Sequence, residues 1–186
     1  MHTLLALWLP ILLSAVVVFV ISSLVHMVLK WHSSDYRTLG NEEAIRAAIR
    51  SGNNGPGRYV LPHCKEMKDM GSEEMKGKYR EGPVGNLTLL PNGMPNLGIY
   101  LGLWFLWSLV IAIVAAYLAS RLIPWDHSHA RGAAKLVGAV TFIAHGFGTV
   151  TESIWTGRPW SQSVRYLIDA ALYAVGSALI FCWLWP

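Results

Sequence analysis

The chain has 186 residues, of which 53% are hydrophobic and 14% charged, and its net charge is +4. Soluble domains carry about 25% charged residues, so this composition indicates an integral membrane protein. Its Lys and Arg residues form no run interleaved with aromatic residues, which excludes nucleic acid from the expected partners.

The first apolar run, positions 4–29, contains no Asp, Glu, Lys or Arg. It is long enough to cross a bilayer, which takes about 20 residues. No Lys or Arg precedes it, whereas a cleavable signal peptide begins with a positively charged region. We therefore predict a retained transmembrane helix.

Positions 30–96 are predicted to form a polar extramembrane loop of about 65 residues with short helices. Asn41 and Ser72 each precede two glutamates and are expected to cap those helices. The stretches "RYVLP" and "NLTLL" indicate short extended segments between Gly, Pro and Asn turns. Apolar residues are too few for a separate core, so positions 1–186 are predicted to be one membrane domain.

Three further spans are predicted, roughly at positions 97–122, 134–155 and 164–185. Tryptophans cluster near the ends of the four apolar runs, as in the aromatic belts of membrane interfaces. The expected fold is an all-α membrane protein, a four-transmembrane-helix bundle with the polar loop between its first and second helices.

The distribution of basic residues predicts the orientation. Twelve of the 15 Lys and Arg residues lie in the long loop or in the stretch that follows the third span and begins the fourth. The opposite side carries Arg121, Arg131 and Lys135. The excess of Lys and Arg on cytoplasmic loops therefore predicts that the long loop is cytoplasmic.

Several ionisable residues lie inside the predicted spans. They are His26, His145, Glu152, Arg165 and Asp169. Such residues usually face the interior of a helix bundle, pair with one another and mark functional sites. Because successive spans cross the membrane in opposite directions, His26, Glu152, Arg165 and Asp169 are expected at one membrane depth, with His145 deeper. This predicts an intramembrane polar cluster.

Three interpretations of this cluster stay open. In a structural lock, Arg158 or Arg165 neutralises Glu152, and Arg165 neutralises Asp169 four residues further along the same helix. Histidines and carboxylates also suit a proton or ligand site. The same side chains are ligands of transition metals, which gives the third interpretation.

The long loop contains a weaker metal candidate in the stretch "LPHCKEMKDM". Its potential ligands are His63, Cys64, Met67 and Met70, whose soft sulfur and imidazole atoms suit Cu(I). The spacing of the two methionines equally suits an amphipathic turn lying on the bundle. We therefore predict no cofactor and keep a transition metal as the weaker alternative.

Four stretches together carry a resemblance to a known group of proteins. They are "LVHMVLKWHSSDYRTLGNEEAIRAAIR", "GPVGNLTLLPNGMPNLG", "ESIWTGRPW" and "IDAALYAVGSALIFCWLWP". In them the chain resembles a family of uncharacterised small bacterial inner-membrane proteins with four predicted transmembrane helices. The resemblance implies a bacterial source and a multi-pass location in the inner membrane, and it implies no activity or site residue.

The sequence contains no nucleophile elbow, P-loop or H-E-x-x-H motif. We therefore expect a membrane protein without catalytic activity, an accessory or structural subunit or a scaffold of a membrane complex. Its expected partners are the lipid bilayer and either another membrane protein or a second copy of the chain. The alternative is a small transporter, channel, or proton- or metal-binding protein that uses the intramembrane cluster.

Overall fold

The computed structural model describes residues 4–186, and the described chain is mostly helical. Four helices in it are long and apolar enough to cross a membrane, which confirms that part of the predicted fold class. They are Leu4–Val28, Leu97–Leu122, His127–Thr156 and Trp160–Leu184.

Regular secondary structure also occupies the polar segment between the first two long helices. In chain order the elements are α1 (Trp8–Ser23), α2 (Glu42–Ser51), β1 (Gly57–Leu61), α3 (Glu73–Glu81), β2 (Gly85–Leu89), α4 (Leu97–Leu122), α5 (Ala130–Thr156) and α6 (Trp160–Leu184). A 3₁₀ turn, Leu4–Leu7, precedes α1, and a π turn, Leu24–Val28, continues it.

The chain divides into two compact units. The helical unit comprises residues 4–36, 96–153 and 158–186, and the polar unit comprises residues 37–95 and 154–157. The helical unit therefore holds α1, α4, α6 and nearly all of α5. The polar unit holds the two short helices and both strands.

All four long helices contribute to one buried apolar cluster in the helical unit. Its members are Leu7, Ile11, Ala112, Ala115, Ala116, Ala119, Ala130, Ala133, Val137, Phe181 and Trp185. Six of these eleven are alanines, all of them on α4 or α5. Small residues let helix backbones approach closely. Close packing of this kind drives helix association in lipid, where the hydrophobic effect does not bring helices together.

Glycines on α5 and α6 mark two further close contacts. A Cβ atom added to Gly176 of α6 would lie 2.5 Å from Cγ1 of Val17 on α1. One added to Gly146 of α5 would lie 3.1 Å from Cβ of Ala170 on α6. Helix α6, which carries Arg165 and Asp169, therefore packs tightly against both α1 and α5.

The polar unit contains a small antiparallel sheet. Strands β1 and β2 pair with Gly57 opposite Leu89 and Leu61 opposite Gly85. The stretches indicated as extended by the sequence thus form a hairpin-like pair, with α3 in the connection between them. Of residues 37–95, Met75 alone is fully buried, so the unit has little core of its own.

The two predicted helix caps differ in the structure. The Ser72 side chain accepts a hydrogen bond from the Met75 backbone N–H at 3.2 Å, which is the expected N-cap of α3. Asn41 takes the N-cap position of α2, but none of the described residues donates a cap hydrogen bond to its side chain. That expectation was right in position and wrong in mechanism.

Candidate functional site

The first long helix ends in a chain reversal that carries two histidines. His26 lies in the π turn after α1, and Lys30 has a φ of 53°, in the left-handed region. A left-handed residue commonly ends a helix, and π turns often occur at functional sites. After the reversal the His32 ring stacks on the His26 ring, with centroids 4.5 Å apart and an interplanar angle of 11°.

His32 joins two buried carboxylates. Its Nδ1 atom lies 2.7 Å from Oδ2 of Asp35, and its Nε2 atom lies 2.7 Å from Oδ2 of Asp169. His32 is 6% exposed and Asp169 is 1% exposed. Carboxylates and unprotonated ring nitrogens only accept hydrogen bonds, so each of these contacts is a hydrogen bond only when a proton lies between its two atoms.

Asp35 ties the turn after α1 to the beginning of α6. Its carboxylate forms an ion pair with Arg165, and its backbone oxygen accepts a hydrogen bond from Nε2 of Gln162 at 2.7 Å. The Asp35 side chain is 4% exposed and that of Arg165 is 29% exposed. Charge-assisted contacts of this kind are about twice as strong as neutral hydrogen bonds, so they fix the turn in place.

We call these five side chains the His–Asp cluster: His26, His32, Asp35, Arg165 and Asp169. Two carboxylates and one guanidinium leave one negative charge when both imidazoles are neutral. A buried charge without compensation is costly. The cluster therefore requires one more positive charge, which a proton on an imidazole or a bound cation supplies.

Asp169 has one carboxylate oxygen without a partner. Its Oδ1 atom is buried and has no hydrogen-bond partner within residues 4–186. Its Oδ2 atom lies 2.7 Å from Nε2 of His32 and 4.0 Å from Nε2 of His26. Leaving such an oxygen unsatisfied costs about 1–3 kcal/mol, so Asp169 has capacity to bind a further group.

A cavity of about 370 Å³ adjoins the cluster. Its lining includes His26 and Asp169 together with His145, Trp104 and Tyr173. Ligand sites typically enclose about 300–1,000 Å³ with mostly apolar walls and a few convergent polar groups. The cavity matches that description, and Asp169 is one of its lining residues.

His145 lies on the same cavity without belonging to the cluster. Its ring packs against Trp104 at a centroid distance of 5.3 Å and against Tyr173 at 5.2 Å. Both of its ring nitrogens are buried and lack a hydrogen-bond partner in the described part of the chain. The His145 ring thus packs between two aromatic side chains beside the cavity.

Glu152 lies outside the His–Asp cluster. It forms an ion pair with Arg158, whose guanidinium also donates to Oγ1 of Thr149 at 3.3 Å and lies 5.1 Å from the Tyr166 ring. The Glu152 side chain is half exposed. The predicted neutralisation of Glu152 by Arg158 is thus present, as a pair separate from the site.

Three of the five candidate residues meet in the cluster, namely His26, Arg165 and Asp169. The expected pairing of Arg165 with Asp169 is replaced, because Arg165 reaches Asp35 while Asp169 binds His32. The contacts that join the turn after α1 to α6 therefore run through His32 and Asp35, not through an Arg165–Asp169 pair.

Sequence reasoning missed His32 and Asp35 as site residues. Both lie beyond the first predicted span, where a histidine and an aspartate are ordinarily solvated. Their spacing of three residues directly after a span that already holds His26 was the available signal. It indicates a turn able to fold a carboxylate onto an imidazole, yet it does not reveal Asp169 as the second partner.

The weaker metal candidate of the polar unit is not assembled. Sγ of Cys64 contacts the backbone oxygen of Glu66 at 3.0 Å, and Met67 is 81% exposed. Within residues 4–186, the group of at least three His, Cys, Asp or Glu side chains placed to share an ion consists of His26, His32 and Asp169. His63 and Cys64 belong to no such group in the described chain, and Met70 is also exposed.

Comparison of the chain with known protein families, with curated proteins and with solved structures finds no match. The resemblance to small bacterial inner-membrane proteins therefore stays a prediction, and function has to be argued from the site.

Proposed function

We propose that this chain is an integral membrane protein, a bundle of four transmembrane helices, that binds a cation at the His–Asp cluster. The observation that carries the proposal is the buried row Asp35–His32–Asp169, in which one imidazole joins two carboxylates. Ionisable groups inside membrane helices commonly mark ion or proton sites. A proton or a metal ion is the ligand that this charge arrangement favours.

Access and charge support the same proposal. Asp169 is one of the residues that line the cavity, whereas Arg165 and Asp35 are not among them. The cluster lacks one positive charge when both of its imidazoles are neutral. A single proton or cation therefore changes the charge of the whole cluster.

The test is thermal unfolding of the purified protein in detergent across pH and across a series of Na⁺, K⁺, Mg²⁺, Ca²⁺, Zn²⁺ and Co²⁺ salts. A ligand at about 100 times its Kd stabilises the folded state by about 2.7 kcal/mol, which raises Tm by several degrees. We expect at least one cation to stabilise wild type and to lose this effect in Asp169→Asn.

Glu152→Gln is the matched control, because it removes a carboxylate of the same unit outside the cluster. It should respond to the cation as wild type does. If no cation or pH change shifts wild type differently from Asp169→Asn, the cluster is a structural lock and the proposed function is wrong.

A second candidate function, that of an accessory subunit or scaffold, is favoured by an apolar groove in the polar unit. The groove encloses about 730 Å³ between α2 and the two strands. Its lining includes the exposed side chains of Val60, Leu61 and Val84. Exposed apolar patches of this kind mark interaction surfaces, and a membrane-protein partner or a second copy is the occupant we propose.

Affinity purification in mild detergent tests the second candidate. We expect a partner in stoichiometric amount that is lost on Val84→Glu, which places a charge in the groove. Met94→Glu is the control, since Met94 is 95% exposed and outside the groove lining. If the Val84→Glu variant still retains the partner, the groove is not the binding surface.

The cellular setting that we propose follows from the charge pattern and the resemblance. We place the protein in a bacterial inner membrane, with the polar unit in the cytoplasm, where loops rich in Lys and Arg accumulate. This placement is independent of the cation site and has its own test, given below.

A further inference from the structure

We propose that the cation is a divalent transition metal of the zinc class, bound by Nε2 of His26, Nε2 of His32 and the carboxylate of Asp169. This inference rests on the proposed cation-binding function and names its ligand and its donor atoms. The three potential donor atoms lie within 4.8 Å of one another. Imidazole and carboxylate donors suit Zn²⁺, Co²⁺ and related ions.

Both histidines are oriented as metal ligands usually are. A metal-bound imidazole typically donates its other N–H to a carboxylate or a backbone carbonyl, which fixes the tautomer. Nδ1 of His32 lies 2.7 Å from Oδ2 of Asp35, and Nδ1 of His26 lies 3.1 Å from the Ser22 backbone oxygen. In both rings this leaves Nε2 as the atom that can bind a metal ion, and both Nε2 atoms face Asp169.

The spacing is close to that of a metal site. Zinc bonds to nitrogen and oxygen are about 2.0–2.2 Å long, so the ligand atoms of a tetrahedral site lie about 3.3 Å apart. The observed distances from Oδ2 of Asp169 are 2.7 Å to His32 and 4.0 Å to His26. One has to lengthen and the other to shorten by about 0.6 Å, which a rotation of the half-exposed His26 ring and of the carboxylate accommodates.

An independent observation supports a ligand here. Oδ1 of Asp169 is buried without a partner in the described structure, and Asp169 is 1% exposed. A rotation of the carboxylate that brings Oδ1 onto the ion, or binding through both oxygens, gives Oδ1 the partner that it lacks. Three protein ligands leave one tetrahedral position for water or for a group in the cavity.

Metal binding is coupled to proton release. The short contact between Nε2 of His32 and Oδ2 of Asp169 holds one proton, and that proton must leave before both atoms bind an ion. Arg165 and Asp35 neutralise each other, so a divalent ion on Asp169 and two neutral imidazoles leaves one positive charge, which an anionic group in the open fourth position would compensate. We expect about one proton to be released for each ion bound.

The test is zinc binding by the purified full-length protein in detergent, measured by elemental analysis after dialysis and by competition with a chromophoric chelator. Co²⁺ serves as a spectroscopic probe, because tetrahedral cobalt absorbs visible light. We expect one ion for each chain. His26→Gln should weaken affinity by at least about 100-fold, since removal of an outer partner alone costs about 10–100-fold.

His26 is the informative position because its side chain is 36% exposed, and its hydrogen bond goes to the Ser22 carbonyl four residues earlier on the same helix. Its loss removes the stacking on His32 but no buried ion pair with Arg165, so the protein should remain folded. His145→Gln is the matched control, since it removes an imidazole from the same cavity without touching a proposed ligand. It should bind zinc as wild type does. Asp35→Asn should weaken binding by about 10–100-fold through the orientation of His32.

The outcomes separate this inference from the proposed function. If zinc and cobalt do not bind wild type, or bind His26→Gln as tightly as wild type, the ligand set is wrong. If zinc does not bind, but a proton or another cation stabilises wild type and not Asp169→Asn, the proposed function is supported and the zinc assignment is wrong. If no cation acts on wild type through Asp169, both fall.

Discussion

Nε2 of His32 lies 2.7 Å from Oδ2 of Asp169, although 137 positions separate the two residues in the chain. The contact closes the turn after α1 onto α6, and Asp35 reinforces it by binding His32 and Arg165 at once. The same atoms thus tie the turn after α1 to α6 and belong to the proposed cation site. A site that also holds the fold together makes its metal or proton content a determinant of stability.

The Asp35–Arg165 pair should contribute much more to stability than a surface pair. Asp35→Asn leaves Arg165 without its buried partner, and we expect a loss of about 2–3 kcal/mol in the free energy of unfolding. Glu43→Gln removes a carboxylate from the exposed pair with Arg46 and should cost less than about 0.5 kcal/mol. Denaturant titration in mixed micelles measures both, and equal effects would show that the cluster adds no stability.

The contact of α6 with α1 should tolerate no side chain at Gly176. An added Cβ there meets Val17 at 2.5 Å and Ile21 at 2.9 Å, so Gly176→Ala should destabilise the protein by about 1–3 kcal/mol despite the better helix propensity of alanine. Gly148→Ala is the control, because nothing lies within 4 Å of its added Cβ. It should leave stability unchanged or raise it. Thermal unfolding in detergent compares the two, and a stable Gly176→Ala variant would contradict this packing.

The two short helices should differ in their dependence on their N-cap side chains. Ser72→Ala removes the hydrogen bond to the Met75 N–H and should cost α3 about 1 kcal/mol, seen as faster amide hydrogen exchange in residues 73–81. Asn41→Ala should change exchange in α2 much less, since the Asn41 side chain makes no cap bond in the described chain. Similar acceleration of both helices would be inconsistent with this difference.

The proposed orientation predicts opposite labelling of two exposed positions. On a background of Cys64→Ser and Cys182→Ala, Ser51→Cys lies at the end of α2 and Ser128→Cys in the connection between α4 and α5. A membrane-impermeant maleimide should label Ser128→Cys in intact spheroplasts and Ser51→Cys in inverted vesicles. The reverse pattern would place the polar unit on the outer side of the membrane.

Much of the fold was accessible from the sequence, because the signal for a long apolar helix is local. The span predicted at 4–29 corresponds to Leu4–Val28, and the one at 97–122 coincides with α4. The span predicted at 134–155 is part of a longer helix, since the polar residues from His127 to Arg131 join it without a break. Strand pairing was out of reach, because the register of β1 on β2 depends on contacts between segments far apart in sequence.

The sequence indicated which kinds of residue form the candidate site, but it did not indicate how they pair. The sequence indicated His26, Arg165 and Asp169 because ionisable residues in apolar runs are conspicuous. It favoured the pair Arg165–Asp169, since residues four apart on a helix are neighbours. The chain reversal at Lys30 places Asp35 beside Arg165 and His32 beside Asp169. These contacts replace the Arg165–Asp169 pair, and no local sequence pattern predicts them.

The most direct measurement is a structure of the protein with bound Zn²⁺, with data collected on both sides of the zinc absorption edge. We expect one anomalous peak in the helical unit, about 2.0–2.2 Å from Nε2 of His26, Nε2 of His32 and a carboxylate oxygen of Asp169. A zinc-soaked structure with no peak at these atoms, or with the metal held only by other residues such as His63 and Cys64, would contradict it.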